Sequence, residues 1–350
     1  MKSSPEAGQT DPDHTLLLGK LPLELMQTIL SQISTNDTVL QGPGVGLDCA
    51  VINLQDLLLV VKSDPITFTA ADIGWYAVHV NANDIATTGA QPSWFLATLL
   101  LPEGLTNDTL VRSIFGQIES ACSSIGAVLV GGHTEVTAGL GRPIISGTMI
   151  GTTTKEQLKS PARVQPGDRL LLTKSIAIEA ASILAQEFRD RLIQSVPAEI
   201  LKQASSFLYE PGLSVLPEAR IASRFSGVHA MHDPTEGGLS GALWELSAAA
   251  NVKLIIDKEQ VPISREAELL CRAMQINPWE AIASGALLIA AAPQDAVVVQ
   301  EQIRENGIRV SDIGYAEDGQ GVFLEGKPIK PLLPQPERDA IALLFEKDKP

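Results

Sequence analysis

The sequence predicts a mixed α/β (α+β) protein of two domains. Three observations carry that expectation: helix-period and strand-like segments alternate through both halves, a strand pair at 50–62 folds back as a hairpin, and a polar stretch with Pro161, Pro166 and Gly167 divides the chain at 152–168. A hairpin inside an alternating pattern calls for mixed sheets, not the all-parallel sheet of a dinucleotide fold. The 350 residues, 45% hydrophobic and 19% charged, suffice for two cores. The expected boundaries are a disordered lead-in at 1–15, a first domain at 16–155 and a second at 156–345.

The elements follow in order. Leu21, Leu25, Ile29 and Ile33 recur every four residues, which predicts a helix within 16–33. Residues 42–46 are a glycine-rich loop, and strands 50–53 and 57–62 turn at Gln55 and Asp56. Asp72 is the expected N-cap of a helix from Ile73 to about Thr88, stopped by Gly89 and Pro92. A strand at 94–101, a helix from Asn107 to Ile125, a short strand at 127–130 entering a Gly-Gly loop, and a strand at 144–151 complete the first half. The second half reads as strands at 169–173, 228–231, 253–256, 286–292 and 310–315, with helices at 177–188, 197–208, 214–224, 239–250, 264–274 and 294–306. A hairpin around 319–326 and a tail from Pro331 that packs back on the domain end the chain.

Composition excludes several functions. Lys plus Arg number 26 against 41 Asp plus Glu, a net charge of −15 that repels phosphate backbones and anionic lipid, so nucleic acid and membrane are not expected partners. Three cysteines without a CxxC pattern suggest neither a disulfide framework nor a zinc site, and the polar N-terminus carries no export signal, so the expected setting is cytoplasmic.

Common nucleotide motifs fail. Gly19-Lys20 lacks the upstream glycine of a P-loop, and Gly42, Gly44 and Gly46 precede a strand where a Rossmann loop would follow one. What stands out is a series of acidic residues at the ends of apolar segments, beside small residues: Asp48, Asp64, Asp84, Glu135 and Asp233. One such residue is ordinarily a turn former or cap. Several together suit a hard divalent cation that also binds substrate phosphates, with glycines allowing close backbone approach.

The ordered strings Gly46-Leu-Asp48, Lys62-Ser-Asp64-Pro, Asn83-Asp84-Ile-Ala-Thr-Thr-Gly-Ala90, Gly131-Gly-His-Thr-Glu135 and His232-Asp233-Pro-Thr-Glu-Gly-Gly238 resemble the aminoimidazole ribonucleotide (AIR) synthase superfamily over nearly the whole chain. Its members include AIR synthase, hydrogenase-maturation factors of the HypE type, selenophosphate synthetase and thiamine-monophosphate kinase, and the HypE-like branch is the most similar. The resemblance implies a two-domain PurM-like fold whose N-terminal domains pair in a homodimer, with ATP and Mg²⁺ bound near that interface. It implies Mg²⁺ ligands at Asp48, Asp64, Asp84 and Asp233, and nucleotide contacts at Lys62, Asn83, Gly131, Gly132, His133, Thr134, Thr235, Gly237 and Gly238. His133 and Glu135 are the candidates for proton transfer.

The implied chemistry is phosphoryl transfer from ATP to an amide or carboxylate oxygen of a small molecule or protein-bound group, with a maturation protein as a further partner. A small-molecule kinase and a nucleotide-binding regulator without catalysis are the alternatives. Three departures from the HypE pattern bear on the choice: no cysteine follows Cys271, Ala283-Ser284-Gly285-Ala286 lacks the glutamate of a Ser-Glu-Gly triplet and with it a candidate general base, and His133 replaces an aspartate. His232 is expected as a buried imidazole ending a strand, and Cys49 as a small core residue.

Overall fold

The computed structural model describes residues 21, 23–44, 47–326 and 331–347. The expected lead-in at 1–15, Gly19-Lys20 and Gly46 lie outside them. The first half runs α1 (Leu23–Leu30), β1 (Val39–Gln41), β2 (Ala50–Leu54), β3 (Leu57–Ile66), α2 (Ile73–Thr87), β4 (Gln91–Pro102), α3 (Asp108–Ile125), β5 (Val128–Thr137) and β6 (Ile144–Thr153). Its six strands form one sheet in the order β1-β2-β3-β6-β4-β5, antiparallel except for β4 with β5.

One face of this sheet is covered by helices. In β6, Ile145, Gly147, Met149, Gly151 and Thr153 are buried while the intervening residues are half-exposed, the period-2 signature of a one-sided sheet. Helix α2 fills the space between β3, β6 and α3, and all its residues but Trp75 are buried. A helix so enclosed needs small residues at its contacts. Gly74 is one: a Cβ there would meet the Ile114 carbonyl at 2.7 Å.

The second half continues with β7 (Arg169–Thr173), α4 (Ile178–Glu187), α5 (Arg189–Leu192), α6 (Ala198–Ser205), α7 (Leu216–Ala222), β8 (Val228–His232), α8 (Gly238–Ala250), β9 (Val252–Ile256), α9 (Arg265–Ala273), β10 (Leu288–Ala291), α10 (Pro293–Glu305), β11 (Val310–Asp318), β12 (Gly321–Leu324) and α11 (Ala340–Lys347). The second sheet has the order β12-β9-β11-β7-β10-β8 and is again mixed, with β12 and β9 parallel. One hydrophobic cluster runs through both halves. Phe345 of α11 ties them further, stacking on Phe68 at 5.7 Å between ring centroids and tilting against Phe188 at 5.0 Å. Among the described residues no helix is long and apolar enough to cross a membrane.

Three local expectations need correction. The chain at 319–326 is not a hairpin: Asp318 ends β11 opposite Val252, and Gly321 starts β12 opposite Lys253, so the chain steps over the start of β9 and pairs on its far side. Gly319 (φ 120°) and Gly321 (φ 95°) permit that short crossing. The Gly-Gly segment is strand, not loop, because β5 pairs with β4 as far as Thr137. Asp72 stands at the N-cap of α2 but in a left-handed conformation with no side-chain cap bond, whereas Asn107 caps α3 by accepting from the Leu110 N–H at 2.9 Å.

Gly132 has φ 146°, and a Cβ built there would overlap the Ala97 carbonyl on β4. Gly132→Ala should therefore destabilise the protein by about 1–3 kcal/mol. Thermal unfolding followed by circular dichroism measures this, and an unchanged midpoint would contradict the close packing of β4 on β5.

Candidate functional site

The site lies at the seam between the two sheets. Along β3 the residues facing the helices are Leu58, Val60, Lys62, Asp64 and Ile66, so the apolar stripe that anchors the strand is interrupted by one cation and one carboxylate. Helix α2 crosses there and brings Asp84, whose Oδ2 lies 3.0 Å from Lys62 Nζ; Asp64 Oδ2 lies 3.6 Å from the same atom. From the second sheet, the end of β8 delivers His232 and Asp233. His232 Nε2 is 3.0 Å from Glu245 Oε2 of α8, and its Nδ1 is 3.6 Å from Asp48 Oδ2, just ahead of β2. Asp48, His232 and Asp233 each offer a ligand atom within 4.8 Å of the others.

Burial sets the electrostatics. Asp233 is fully buried, and neither carboxylate oxygen accepts a hydrogen bond from another residue. Desolvation first, then the charge of Asp48, raises its pKa to about 6, against the pull of His232 and Lys62. Desolvation also raises Asp84, opposed by Lys62. For Lys62, burial alone would lower the ammonium, but Asp84, Asp48 and Asp64 together hold it above the ordinary lysine range. Burial likewise disfavours a charged His232, yet Glu245, Asp48 and Asp233 lift it to about 9, which favours the imidazolium at neutral pH.

The donor set suits a hard cation. Four aspartates supply only oxygen, the orphaned oxygens of Asp233 have no other function in the fold, and two cations face five carboxylates. These residues fit Mg²⁺.

Other expected contacts are placed elsewhere. Across the sheet Gly132 registers with Ala97, Ala97 with Gly147 and Gly147 with Asp64, three strand spacings or about 14 Å. Gly131, Gly132, His133, Thr134 and Glu135 thus lie on the far edge of the sheet, away from the aspartates of their own chain. His133 Nε2 is 3.2 Å from Glu135 Oε2, and hydrogen bonds from Thr137 first and then His133 lower the Glu135 pKa. Asn83 holds the chain at 213–215, donating to the Leu213 carbonyl at 2.7 Å and accepting from the Val215 N–H at 2.9 Å. The Gly237 N–H donates to Asp339 Oδ2 and the Gly238 N–H to the Thr235 carbonyl.

Three groups at the seam escape the sequence reading: Glu245, Glu179 and Asp339. Glu245 is the single charged residue of α8, and Glu179 is a lone carboxylate in the apolar run 176–185. An isolated charge in an apolar helix is the signal that would have found both. A cavity of about 140 Å³ beside Asp64 is lined by Ile66, Phe68, Glu179, Thr235 and Ser284 among others.

Comparison with known proteins agrees with this architecture. Residues 46–153 match the model of the AIR synthase related protein N-terminal domain, and residues 165–327 that of the C-terminal domain. A hydrogenase expression/formation protein of Methanocaldococcus jannaschii is 29% identical over 323 residues, covering 88% of this chain and 91% of that one. Carbamoyl dehydratase HypE of Cupriavidus necator is 29% identical over 312 residues, covering 86% and 85%.

Three solved structures share the fold. They are AaThiL complexed with AMPPCP and TMP (TM-score 0.70, 20% identity, 90% of this chain and 94% of that one), the HypE-HypF complex (0.69, 20%, 83% and 94%) and hydrogenase maturation protein HypE in complex with ATP (0.66, 22%, 91% and 91%).

Asp339 supplies a pH test of the loop at 235–238. Burial raises its pKa from 3.8 to about 7, against the hydrogen bonds it accepts from Gly237 and Ile341. Between those values the folded chain keeps a proton that the unfolded chain releases, so this group lowers stability as pH rises from about 4 to about 7. Asp339→Asn should flatten that part of the stability profile, as measured by denaturant unfolding at several pH values.

Proposed function

Because this chain belongs to the AIR synthase related protein family, we propose that it is an ATP- and Mg²⁺-dependent phosphoryl-transfer enzyme that activates an amide or carboxylate oxygen of an acceptor. The observation that carries the reading is the seam itself: Asp48, Asp64, Asp84 and Asp233 converge from both sheets, and Asp233 is buried with its oxygens unpartnered. The relative named carbamoyl dehydratase and the similar folds bound to ATP and AMPPCP support ATP as the phosphoryl donor.

In this reading the four aspartates hold Mg²⁺, which when bound neutralises charge on the nucleotide phosphates. Lys62, kept charged by its carboxylates, stands beside Asp64 as a second positive charge for the phosphates. Thr235 faces the cavity next to Asp64 and positions what enters it. Asn83 acts on the site indirectly, fixing 213–215 against α2 and so the second sheet against the first.

The homodimer is part of the proposal. The helix-free face of the first sheet carries Leu54, Leu57, Trp94 and half-exposed Leu59, Ile144 and Ile150, where a solvent-facing sheet would alternate to polar residues. A second copy covering that face would bury it and bring residues 131–135 of the far edge to the interface. The HypE-HypF complex supports a maturation protein as a further partner.

Shared fold with AaThiL, bound to AMPPCP and TMP, supports the second reading of a small-molecule kinase. Mass spectrometry separates the two, since a kinase leaves a phosphorylated product and a dehydratase does not.

Asp64→Ala should reduce ATP turnover in Mg²⁺ by about 100-fold or more, as expected for losing a ligand that positions phosphate charge. Absence of ATP binding to the wild type by calorimetry would sink the reading. Trp94→Glu should convert the dimer to a monomer by light scattering; a wild type that is already monomeric at micromolar concentration would rule out the pairing.

A further inference from the structure

We propose that Glu179 is the proton-accepting carboxylate of the site and that, with Ser284, it seats an uncharged acceptor group presenting an N–H or O–H beside Asp64. This deepens the phosphoryl-transfer reading and rests on it. Glu179 occupies the first turn of α4, 4% exposed, and its Oε2 has no hydrogen-bond partner; Ser284 Oγ is equally buried and equally unpartnered. A buried carboxylate oxygen and a buried hydroxyl left unsatisfied side by side are costly, and native folds keep such groups where a ligand completes them. Both line the cavity of about 140 Å³ that Asp64 and Thr235 also line.

The lining selects the ligand. Ile66, Phe68, Val80 and Ile282 form an apolar side, while the acidic lining residues are Asp64, Glu179 and Glu236, with no Lys, Arg or His among them. An anionic acceptor group, carboxylate or phosphate ester, would enter against Asp64 and Glu236, joined by Glu179 once that residue ionises, with no basic side chain in the lining to meet it. A neutral amide or hydroxyl meets a hydroxyl that can donate and a carboxylate that can accept. The volume is below the ~300 Å³ at which ligand pockets usually begin, so it takes a functional group, not a whole nucleotide.

The step balances without further reactants. The acceptor oxygen bonds to the γ-phosphorus of ATP, the bond from that phosphorus to the bridging oxygen breaks with its electron pair leaving on ADP, and the acceptor's N–H or O–H proton passes to Glu179. Desolvation lifts Glu179 to about 8, with the charges of Asp339, Glu236 and Asp233 adding to the rise. Asp64 also lines this space, and the nearby Tyr76, its hydroxyl bonded to Ser182, stays neutral because burial holds it above its ordinary range. As a base Glu179 works when ionised, so turnover rises with pH through about 8.

The test uses the full chain with ATP and Mg²⁺, reading ADP release with water alone, with acetamide as the uncharged probe and with acetate as the anionic one. Acetamide should accelerate ADP release in the wild type and acetate should not. Glu179→Gln should bind ATP as the wild type does by calorimetry, unfold at or above the wild-type temperature, lose about 100-fold in kcat and lose the rise with pH. Ser284→Ala should raise the half-saturating acetamide concentration while kcat holds. ATP bound with undiminished turnover in Glu179→Gln, acceleration by acetate and not acetamide, or ATP bound with no ADP release from any probe each overturns the assignment of Glu179. Failure of the wild type to bind ATP overturns the underlying reading and this inference with it.

Discussion

The seam between the sheets depends on one buried ion pair. Lys62 reaches Asp84 at 3.0 Å between a strand of the first sheet and the helix packed on its face, with the Asp84 side chain only 2% exposed. Such a pair is poor evidence for stability, since desolvating both charges costs several kcal/mol and a well-packed apolar pair would serve as well or better. Its value lies in what it holds. Without Lys62, Asp84 would be an uncompensated buried charge, and the fold would have to protonate it or open. With Lys62 in place, α2 can present a carboxylate to the interior at the point where β3 presents Asp64 and the second sheet presents Asp233.

His232 repeats the device from the other side. It ends β8, sits between Glu245 and Asp48, and stays protonated because both are close. Asp48 belongs to the first half and Glu245 to the second, so the imidazolium bridges them electrostatically as Asn83 bridges them by hydrogen bonds to 213–215. The two cations keep acidic groups in place without filling their coordination: Asp233 is left with its oxygens open. A fold that satisfied every carboxylate internally would have no reason to bind a cation.

The motifs that sequence alone could locate were the ones whose chemistry is local. Asp48, Asp64, Asp84 and Asp233 announce themselves by standing at the ends of apolar segments, and the fold does bring them to one seam. The hairpin of β2 and β3, the span of α3 with its Asn107 cap and the enclosed α2 are likewise readable from alternation, capping residue and composition. What is not readable is register. A Gly-Gly pair in sequence does not distinguish a phosphate loop from a strand glycine; only the pairing of β5 with Ala97, and the absence of room for a Cβ at Gly132, decide it. The crossing of β12 over the start of β9 is invisible for the same reason, because two glycines around Gln320 serve a hairpin or a crossover equally well. Glu179 and Ser284 meet across more than one hundred residues of chain, a juxtaposition that no local pattern encodes.

The same seam reconciles an acidic protein with phosphate chemistry. A net charge of −15 opposes the approach of a nucleotide in the long range, and salt screens that repulsion beyond about 10 Å. At contact distance the sign is set locally, by Lys62, by His232 and, in the proposed reading, by a cation on the aspartates. The neighbouring cavity has the opposite requirement: lined by Asp64, Glu179 and Glu236 without a basic residue, it repels anions and admits neutral groups. Asp64 belongs to both spaces, facing Lys62 on one side and the cavity on the other. One strand position therefore divides a region that attracts phosphate from one that excludes it, which is the separation needed to hold a phosphoryl donor and an uncharged acceptor within reach of each other without exchanging their places.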